Sequence, residues 1–176
     1  METGALRYVA SCSFGKDSLA TILLALMHNE PLDEVAYCEV MFDDGVSGEV
    51  PEHRDFIYSR AIPFLERNGI KVVPLRSEMT YLESFYRVLR KGRSAGKINS
   101  WPLCGKCCIQ RDCKLPPINA YVRSLGNSAI QYVGIAYDEQ ERLMRLKAGK
   151  TISLLAKYKK TERDAADICR RAGLYS

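Results

Sequence analysis

Two short stretches of this 176-residue chain carry residue types that do chemistry. The first is Ser13-Phe14-Gly15-Lys16-Asp17-Ser18, set between an apolar run from Leu6 to Ala10 and a helical pattern that opens at Leu19. A strand, a tight glycine turn and a helix start together hold phosphate well, because the unpaired N–H groups of a first helical turn and the helix dipole both favour an anion. Gly15 is free to take φ > 0 and lets backbone approach a ligand closely, and Asp17 or Ser18 supplies a cap for the first turn. Lys16 adds a mobile positive charge, and Ser13 and Ser18 add hydroxyls. A P-loop is excluded, since Ala10 and Asp17 stand where it needs a glycine and a serine or threonine, and no G-x-G-x-x-G fingerprint is present. The plain alternative is a capped strand-to-helix turn without a ligand.

The second stretch is a knot of thiols. Seven cysteines in a chain without a signal-peptide pattern argue for thiol, metal or redox chemistry rather than a disulfide scaffold. Cys104, Cys107, Cys108 and Cys113 fall close together, beside Trp101-Pro102 and Pro116-Pro117. Three readings stay open: four thiolates holding tetrahedral zinc or an iron-sulfur centre, a persulfide or thiolate nucleophile activated by Lys106, Arg111 or Lys114, or a loop of reduced, partly buried thiols. Cys12, Cys38 and Cys169 read as core residues. His28, at a helix end, and His53, in an expected first turn, form no Cys-His or Asp-His constellation, so neither is expected to be catalytic.

The elements that must position these groups alternate between strand and helix. After the first strand and a helix marked by Leu19, Ile22, Leu23, Leu26 and Met27, Glu34 to Phe42 reads as a strand buried on both faces. Pro51 opens a helix that becomes irregular near Pro63 and ends at Asn68-Gly69. Ile70 to Leu75 is a third strand, and Tyr81 to Leu89 an amphipathic helix. A helix from about Leu115 to Leu125, a strand from Ile130 to Ile135 and a last helix from Thr161 to Ala172, with Thr161 as N-cap and Gly173 as the stop, complete the pattern. Such alternation predicts crossover units and a mainly parallel sheet with its chemistry at the carboxyl ends of the strands. The polar stretch Arg90-Lys91-Gly92-Arg93-Ser94-Ala95-Gly96-Lys97 reads as a mobile, solvated loop, with closure over a phosphate-bearing ligand as the alternative.

Bulk composition agrees with one small domain: 47% hydrophobic and 27% charged residues suffice for a real core. No apolar stretch approaches a membrane span and the first residues lack a basic-then-apolar leader, so a cytoplasmic protein with no membrane partner is expected. Over the whole chain a net charge of +5 reads as a mildly basic protein and not as a nucleic-acid signature.

Ser13 to Ser18 resembles the Ser-Gly-Gly-Lys-Asp-Ser pyrophosphate loop of the adenine nucleotide alpha hydrolase superfamily, the PP-loop ATP pyrophosphatases, with Phe14 in place of the first glycine. Phe42-Asp43-Asp44-Gly45, followed by Glu49, Pro51 and Glu52, is similar to the aspartate-glycine turn and proline-glutamate helix start of the phosphoadenosine phosphosulfate reductase-like branch. Cys107 through Lys114 with Pro116 resembles that branch's cysteine and lysine segment, and Gly134-Ile135 through Glu139 to Arg142 resembles its Gly-Ile-Arg-x-x-Glu-Ser-x-x-Arg element.

The resemblance implies a three-layer, doubly wound α/β fold with helices on both faces of a mainly parallel sheet. It implies one PP-loop domain over residues 1–176, with a cysteine-rich insertion at about 100–116 and a C-terminal helix at about 161–172. Ser11 and the backbone from Val40 through Met41 to Phe42 would flank adenine and ribose, while Ser13, Phe14, Gly15, Lys16, Asp17 and Ser18 would hold the phosphates. Gly134 would also bind the cofactor, and Arg142, with Arg145 or Lys147, would complete a charge clamp. Lys16, Asp17, Cys108 and Arg142 would be the catalytic residues, and Cys104, Cys107, Cys108 and Cys113 the metal ligands. The expected cofactors are ATP or a phosphosulfate nucleotide, Mg²⁺ on Asp43 or Asp44 unless that pair only caps a turn, and a 4Fe-4S cluster or zinc.

Three functions follow: an ATP pyrophosphatase-type enzyme that activates an acceptor for sulfur transfer, a phosphosulfate reductase that releases sulfite, and a nonenzymatic nucleotide-binding module with structural zinc. Reductases of this branch carry their nucleophilic cysteine in a Glu-Cys-Gly-Leu-His-type tail, which Gly173-Leu174-Tyr175-Ser176 does not match. The expected partners are an adenine nucleotide, a small-molecule or nucleobase acceptor, a sulfur-donor protein and a second copy in a homodimer.

Overall fold

The computed structural model describes residues 6–100, 107–126 and 128–176, so that Cys104 and Lys106 lie outside the described residues. Five strands, β1 (Arg7–Cys12), β2 (Glu34–Glu39), β3 (Lys71–Arg76), β4 (Ala129–Val133) and β5 (Thr151–Ile152), form one sheet in the order β3-β2-β1-β4-β5. Every neighbouring pair is parallel. A parallel pair cannot be closed by a tight hairpin, and the helical segments between strands return the chain to the starting edge each time. These segments are α1 (Lys16–Met27), α2 (Pro51–Phe56), α3 (Ile62–Arg67), α4 (Tyr81–Tyr86), α5 (Leu115–Ser124) and α6 (Gln140–Leu143), and α7 (Leu154–Lys157) and α8 (Glu162–Arg171) follow β5.

The two-residue period of the strands sorts their side chains into two cores. Ala10 and Cys12 of β1 and Val35 and Tyr37 of β2 pack with Leu19 and Ile22 of α1, Leu65 of α3, Leu154 and Leu155 of α7 and Cys169 of α8. Their alternates Val9, Ala36 and Cys38 are equally buried but face the other way, where α5 lies across β2, β3 and β4. The result is the three-layer α/β fold that the resemblance implies, built on the parallel sheet that the alternation predicts. No helix among the described residues is long and apolar enough to cross a membrane.

Four elements, β2, α4, β5 and α7, differ from the sequence expectation, each for a local reason. β2 ends at Glu39 instead of Phe42, because the next residues fold into a tight excursion in which Gly48 N–H donates to Val40 O at 2.8 Å and Phe42 N–H to Val46 O at 2.8 Å. A Cβ on Gly48 would lie 2.7 Å from Val40 O, so that closure needs a glycine. α4 ends at Tyr86 instead of Leu89, since Val88 pairs antiparallel with Ile98. β5 and α7 are too short to leave a period of their own, yet Leu154 and Leu155 are fully buried. The irregularity expected near Pro63 is a π-helical stretch, Ile57–Ala61, joining α2 to α3. A proline has no N–H for the preceding turn, and the wider turn accommodates the loss. α8 is capped as expected, with a Thr161–Asp164 capping box and Gly173 at φ 68.

β2 is buried along its whole length and ends in a buried acid. Glu39 is 3% exposed and accepts hydrogen bonds from Arg54 Nε at 2.9 Å and Tyr58 OH at 3.0 Å, with Arg76 at 3.7 Å. Burial alone would raise its pKa, but hydrogen bonds from Ser47, Arg54 and Tyr58 and the Arg54 charge prevail and hold it below the ordinary 4.5. A depressed folded-state pKa contributes stability that is fully present above the unfolded value and is lost as the pH falls through the folded one. Glu39→Gln is therefore expected to lower the unfolding free energy by about 3 kcal/mol at pH 7, with the gap to the parent closing below about pH 4.5 in urea melts; a gap that does not change with pH would contradict the assignment.

Candidate functional site

β1 and β4 are neighbours in the sheet while the chain leaves them in opposite directions, so their carboxyl ends frame a crevice. The Ser13-Phe14-Gly15 turn lies there. Phe14, not Gly15, takes the left-handed backbone, at φ 58, and Gly15 is an extended N-cap at φ −73. The left-handed conformation costs a phenylalanine about 1–2 kcal/mol, which burial of the ring, edge-on to Tyr37 at 5.0 Å, more than offsets. A Cβ on Gly15 would meet only Ser13 Oγ, at an ordinary 3.7 Å. Neither backbone nor packing demands the glycine, which leaves close approach from outside as its reason.

No side chain caps α1, contrary to the expectation for Asp17 or Ser18. Ser18 Oγ turns inward, donating to Gly15 O at 2.9 Å and accepting from Ser13 N–H at 3.3 Å. Asp17 is held by Lys16 Nζ at 2.9 Å, and Lys16 also reaches Glu162 at 3.4 Å. Burial works against the Lys16 charge, but the hydrogen bond and field of Asp17, helped by Glu162, raise its pKa above the ordinary value. The first turn of α1 thus presents N–H groups without a side-chain partner beside a fixed cation, the composition of an anion site.

Two neighbours fix this turn. A Cβ on Gly134, just past β4, would lie 2.6 Å from Ser18 N and 2.7 Å from Asp17 C, so β4 meets α1 backbone to backbone. Gly134, expected from the sequence to bind cofactor, shapes the loop from behind. His53, which the sequence places in a first turn without expecting it to be catalytic, reaches the loop from α2: its Nε2 lies 3.3 Å from Ser13 O and its Nδ1 3.0 Å from Ser176 Oγ. The available signal was Pro51, which opens α2 at N1 and puts His53 in its first turn. Phe14, Gly15, Lys16 and His53 line a cavity of about 300 Å³ with Leu174, Tyr175 and Ser176. Its volume is at the low end of ligand sites.

The remaining expected nucleotide residues are near the same edge but already engaged. Ser11 Oγ accepts from Gln131 Nε2 at 2.6 Å. Met41 O and Phe42 O accept from Tyr81 and Leu82 N–H at 2.8 and 3.1 Å, anchoring α4, and the Phe42 ring stacks on Tyr81 at 5.5 Å. Asp43 Oδ1 accepts from Gly45 N–H at 2.9 Å and Val46 N–H at 2.8 Å, the capped-turn alternative, while Asp44 stays exposed. Arg142 is paired with Glu139 and is not among the residues lining the loop cavity.

The thiol segment is tied to this edge. Cys113 Sγ–H donates to Thr80 O at 3.6 Å, where Thr80 caps α4, and Cys38 Sγ–H at the end of β2 donates to Cys113 O at 3.7 Å. Burial, with Asp112 adding to it, raises the Cys113 pKa. Cys108 is nearly buried, with its sulfur 3.9 Å from Ser100 O, and Cys107 is exposed. Cys12, Cys38 and Cys169, the expected core cysteines, are buried, and burial pushes each thiol up to about 11. His28 stacks on Tyr158 at 3.9 Å, away from the loop. Among the described residues no three His, Cys, Asp or Glu side chains converge to hold a metal ion. Cys107, Cys108 and Cys113 do not by themselves fit zinc or an iron-sulfur cluster, and Cys104 lies outside the described residues.

No protein-family profile matches this chain and no curated protein matches it in sequence. Among solved structures it is similar to the U34-tRNA thiolase NcsA from Methanococcus maripaludis with its [4Fe-4S] cluster, at 16% identity and a TM-score of 0.53. The match covers 97% of this chain and 59% of that one. At that identity the likeness speaks for the fold alone, an α/β architecture shared with that protein.

Because Gly134 abuts the Asp17–Ser18 peptide, Gly134→Ala is expected to cost about 1–3 kcal/mol of stability and to shift the backbone amides of Asp17 and Ser18, while Gly126→Ala, where a Cβ meets nothing within 4 Å despite a φ of 89, leaves those two amides in place. Urea melts and amide chemical shifts of both variants check this; unmoved Asp17 and Ser18 amides in Gly134→Ala would contradict it.

Proposed function

We propose that this chain binds ATP through the Ser13–Ser18 turn, cleaves it to AMP and pyrophosphate, and uses the adenylate to activate an acceptor for sulfur transfer. The uncapped first turn of α1 with Lys16 beside it carries this reading. An acceptor oxygen attacks the α-phosphorus, the bond from that phosphorus to the bridging oxygen breaks, and pyrophosphate leaves with that oxygen. The charge on the leaving group is taken up by the α1 N–H groups and by Lys16, released from Asp17 as phosphate replaces it. Ser13 and Ser18 orient the phosphates, and Arg142 completes the clamp by exchanging Glu139 for phosphate. A sulfur nucleophile then attacks the adenylated carbon, the carbon–oxygen bond breaks, AMP leaves, and the proton of the sulfur nucleophile passes to solvent.

Exposed Asp44 is the acid of its turn that would hold a magnesium ion, which would neutralise phosphate charge there, since Asp43 is committed to backbone. Phe42, 38% exposed, offers a ring to the base. The thiols follow the same edge through Cys38, Thr80 and Cys113. Exposed Cys107 is better placed than nearly buried Cys108 to meet a sulfur donor or an acceptor. The structurally similar thiolase carries a [4Fe-4S] cluster.

Anaerobic protein incubated with ATP, a sulfide source and a thiolatable acceptor mixture is expected to release pyrophosphate and AMP in equal amounts, and Lys16→Ala to reduce this by at least about 100-fold. Sulfite released from a phosphosulfate nucleotide would instead make the chain a reductase. Tight ATP binding with neither product would make it a binding module.

A further inference from the structure

The charge excess of this chain is concentrated in one place. Arg87 to Lys97 contains five basic residues and no acidic one, so the other 165 residues carry 21 of each sign. The net +5, unremarkable as an average, belongs to these eleven residues. They are not the loose loop their composition implies. Val88 pairs with Ile98, Leu89 N–H donates to Lys97 O and Gly96 N–H to Leu89 O, both at 2.8 Å, and Gly92 and Gly96 take φ of 82 and 84 to close the tip. Arg87 at the root is paired with Asp112 at 2.6 Å. Arg90, Lys91, Arg93 and Lys97 are exposed, and none has an ion-pair partner among the described residues. Four like charges held on a short ordered finger repel one another unless an anion of matching length covers them.

The root of this finger is the thiol segment. Arg87 holds Asp112, Asn99 Nδ2 donates to Ser84 O at 2.9 Å, and Cys108 Sγ lies 3.9 Å from Ser100 O at the returning end. Tyr86, immediately before the finger, has 63% of its surface exposed, edge-on to Phe85 at 4.9 Å. The tip itself, Lys91-Gly92-Arg93-Ser94-Ala95-Gly96, has no large apolar side chain to enter a lipid layer. Unpaired cations flanked by an exposed aromatic ring are the composition that grips a phosphate backbone and stacks an unpaired base.

We propose that the Arg87–Lys97 finger binds single-stranded RNA and, through Tyr86, delivers an unpaired base to the thiols at its root. This rests on the sulfur-transfer reading and narrows its acceptor to a nucleobase within RNA.

The test uses the full chain with a fluorescein-labelled twelve-nucleotide RNA, followed by anisotropy at 50 to 200 mM KCl. With four phosphates neutralised, affinity is expected to fall by about 50-fold over that range. Arg90→Ser, Lys91→Ser, Arg93→Ser and Lys97→Ser combined should abolish most of this salt dependence, and Tyr86→Ala should weaken binding by about tenfold with the salt slope kept. Circular dichroism and melting temperature confirm that each variant is folded. RNA affinity unchanged in the fourfold variant would overturn the proposal, as would equal binding of polyglutamate by the parent, or loss of ATP affinity in the variant, which would make the finger a nucleotide lid. Pyrophosphate release from ATP is measured separately: its absence from a parent that binds RNA through the finger would remove the sulfur-transfer reading and leave the RNA surface standing.

Discussion

Backbone packs on backbone where the end of β4 meets the start of α1. Gly134 allows the Asp17–Ser18 peptide to come within what would be bonding-clash distance of any larger residue. That contact holds the first turn of α1 at the carboxyl edge of the sheet, between the two strands from which the chain departs in opposite directions. The rest of the site inherits its position from it. Ser18 is free to bond inward to Gly15 and Ser13, the N–H groups of the turn stay without a side-chain cap, and Lys16 is placed over them by Asp17 and Glu162.

The same edge gathers the other chemistry by a chain of short contacts. The excursion after β2 brings Met41 and Phe42 to the start of α4, Thr80 at that start takes the Cys113 thiol, and α4 leads directly into the basic finger. A nucleotide on the loop, a thiol behind it and an anionic partner on the finger would thus be linked through α4. Lys16 is paired with Asp17 and Arg142 with Glu139, so the proposed phosphate binding would be an exchange of partners.

Much of this was legible in the residues. Alternating apolar periods gave the parallel sheet, Thr161 and Gly173 gave both ends of α8, and Ser13 to Ser18 gave the turn itself. What was not legible depends on three-dimensional closure. The left-handed residue is Phe14 because Tyr37, distant in sequence, buries its ring and outweighs the local preference for Gly15. His53 reaches the loop through a contact between residues 40 apart in sequence, and Gly134 fits against the start of α1 backbone to backbone. β5 and α7 carry too few residues for any period to emerge. The finger was visible as charge, but averaging over the chain concealed it and its hydrogen bonds could not be read from glycines and lysines.

The proposed activity requires that the open N-terminus of α1 receive the phosphates. Titrating ¹⁵N-labelled protein with magnesium ATP and following the backbone amides tests this most directly. Large, saturable shifts at Gly15, Lys16 and Asp17, reproduced by pyrophosphate alone, are the predicted result. Shifts confined to other parts of the sheet edge, with those three amides unmoved at saturation, would contradict it.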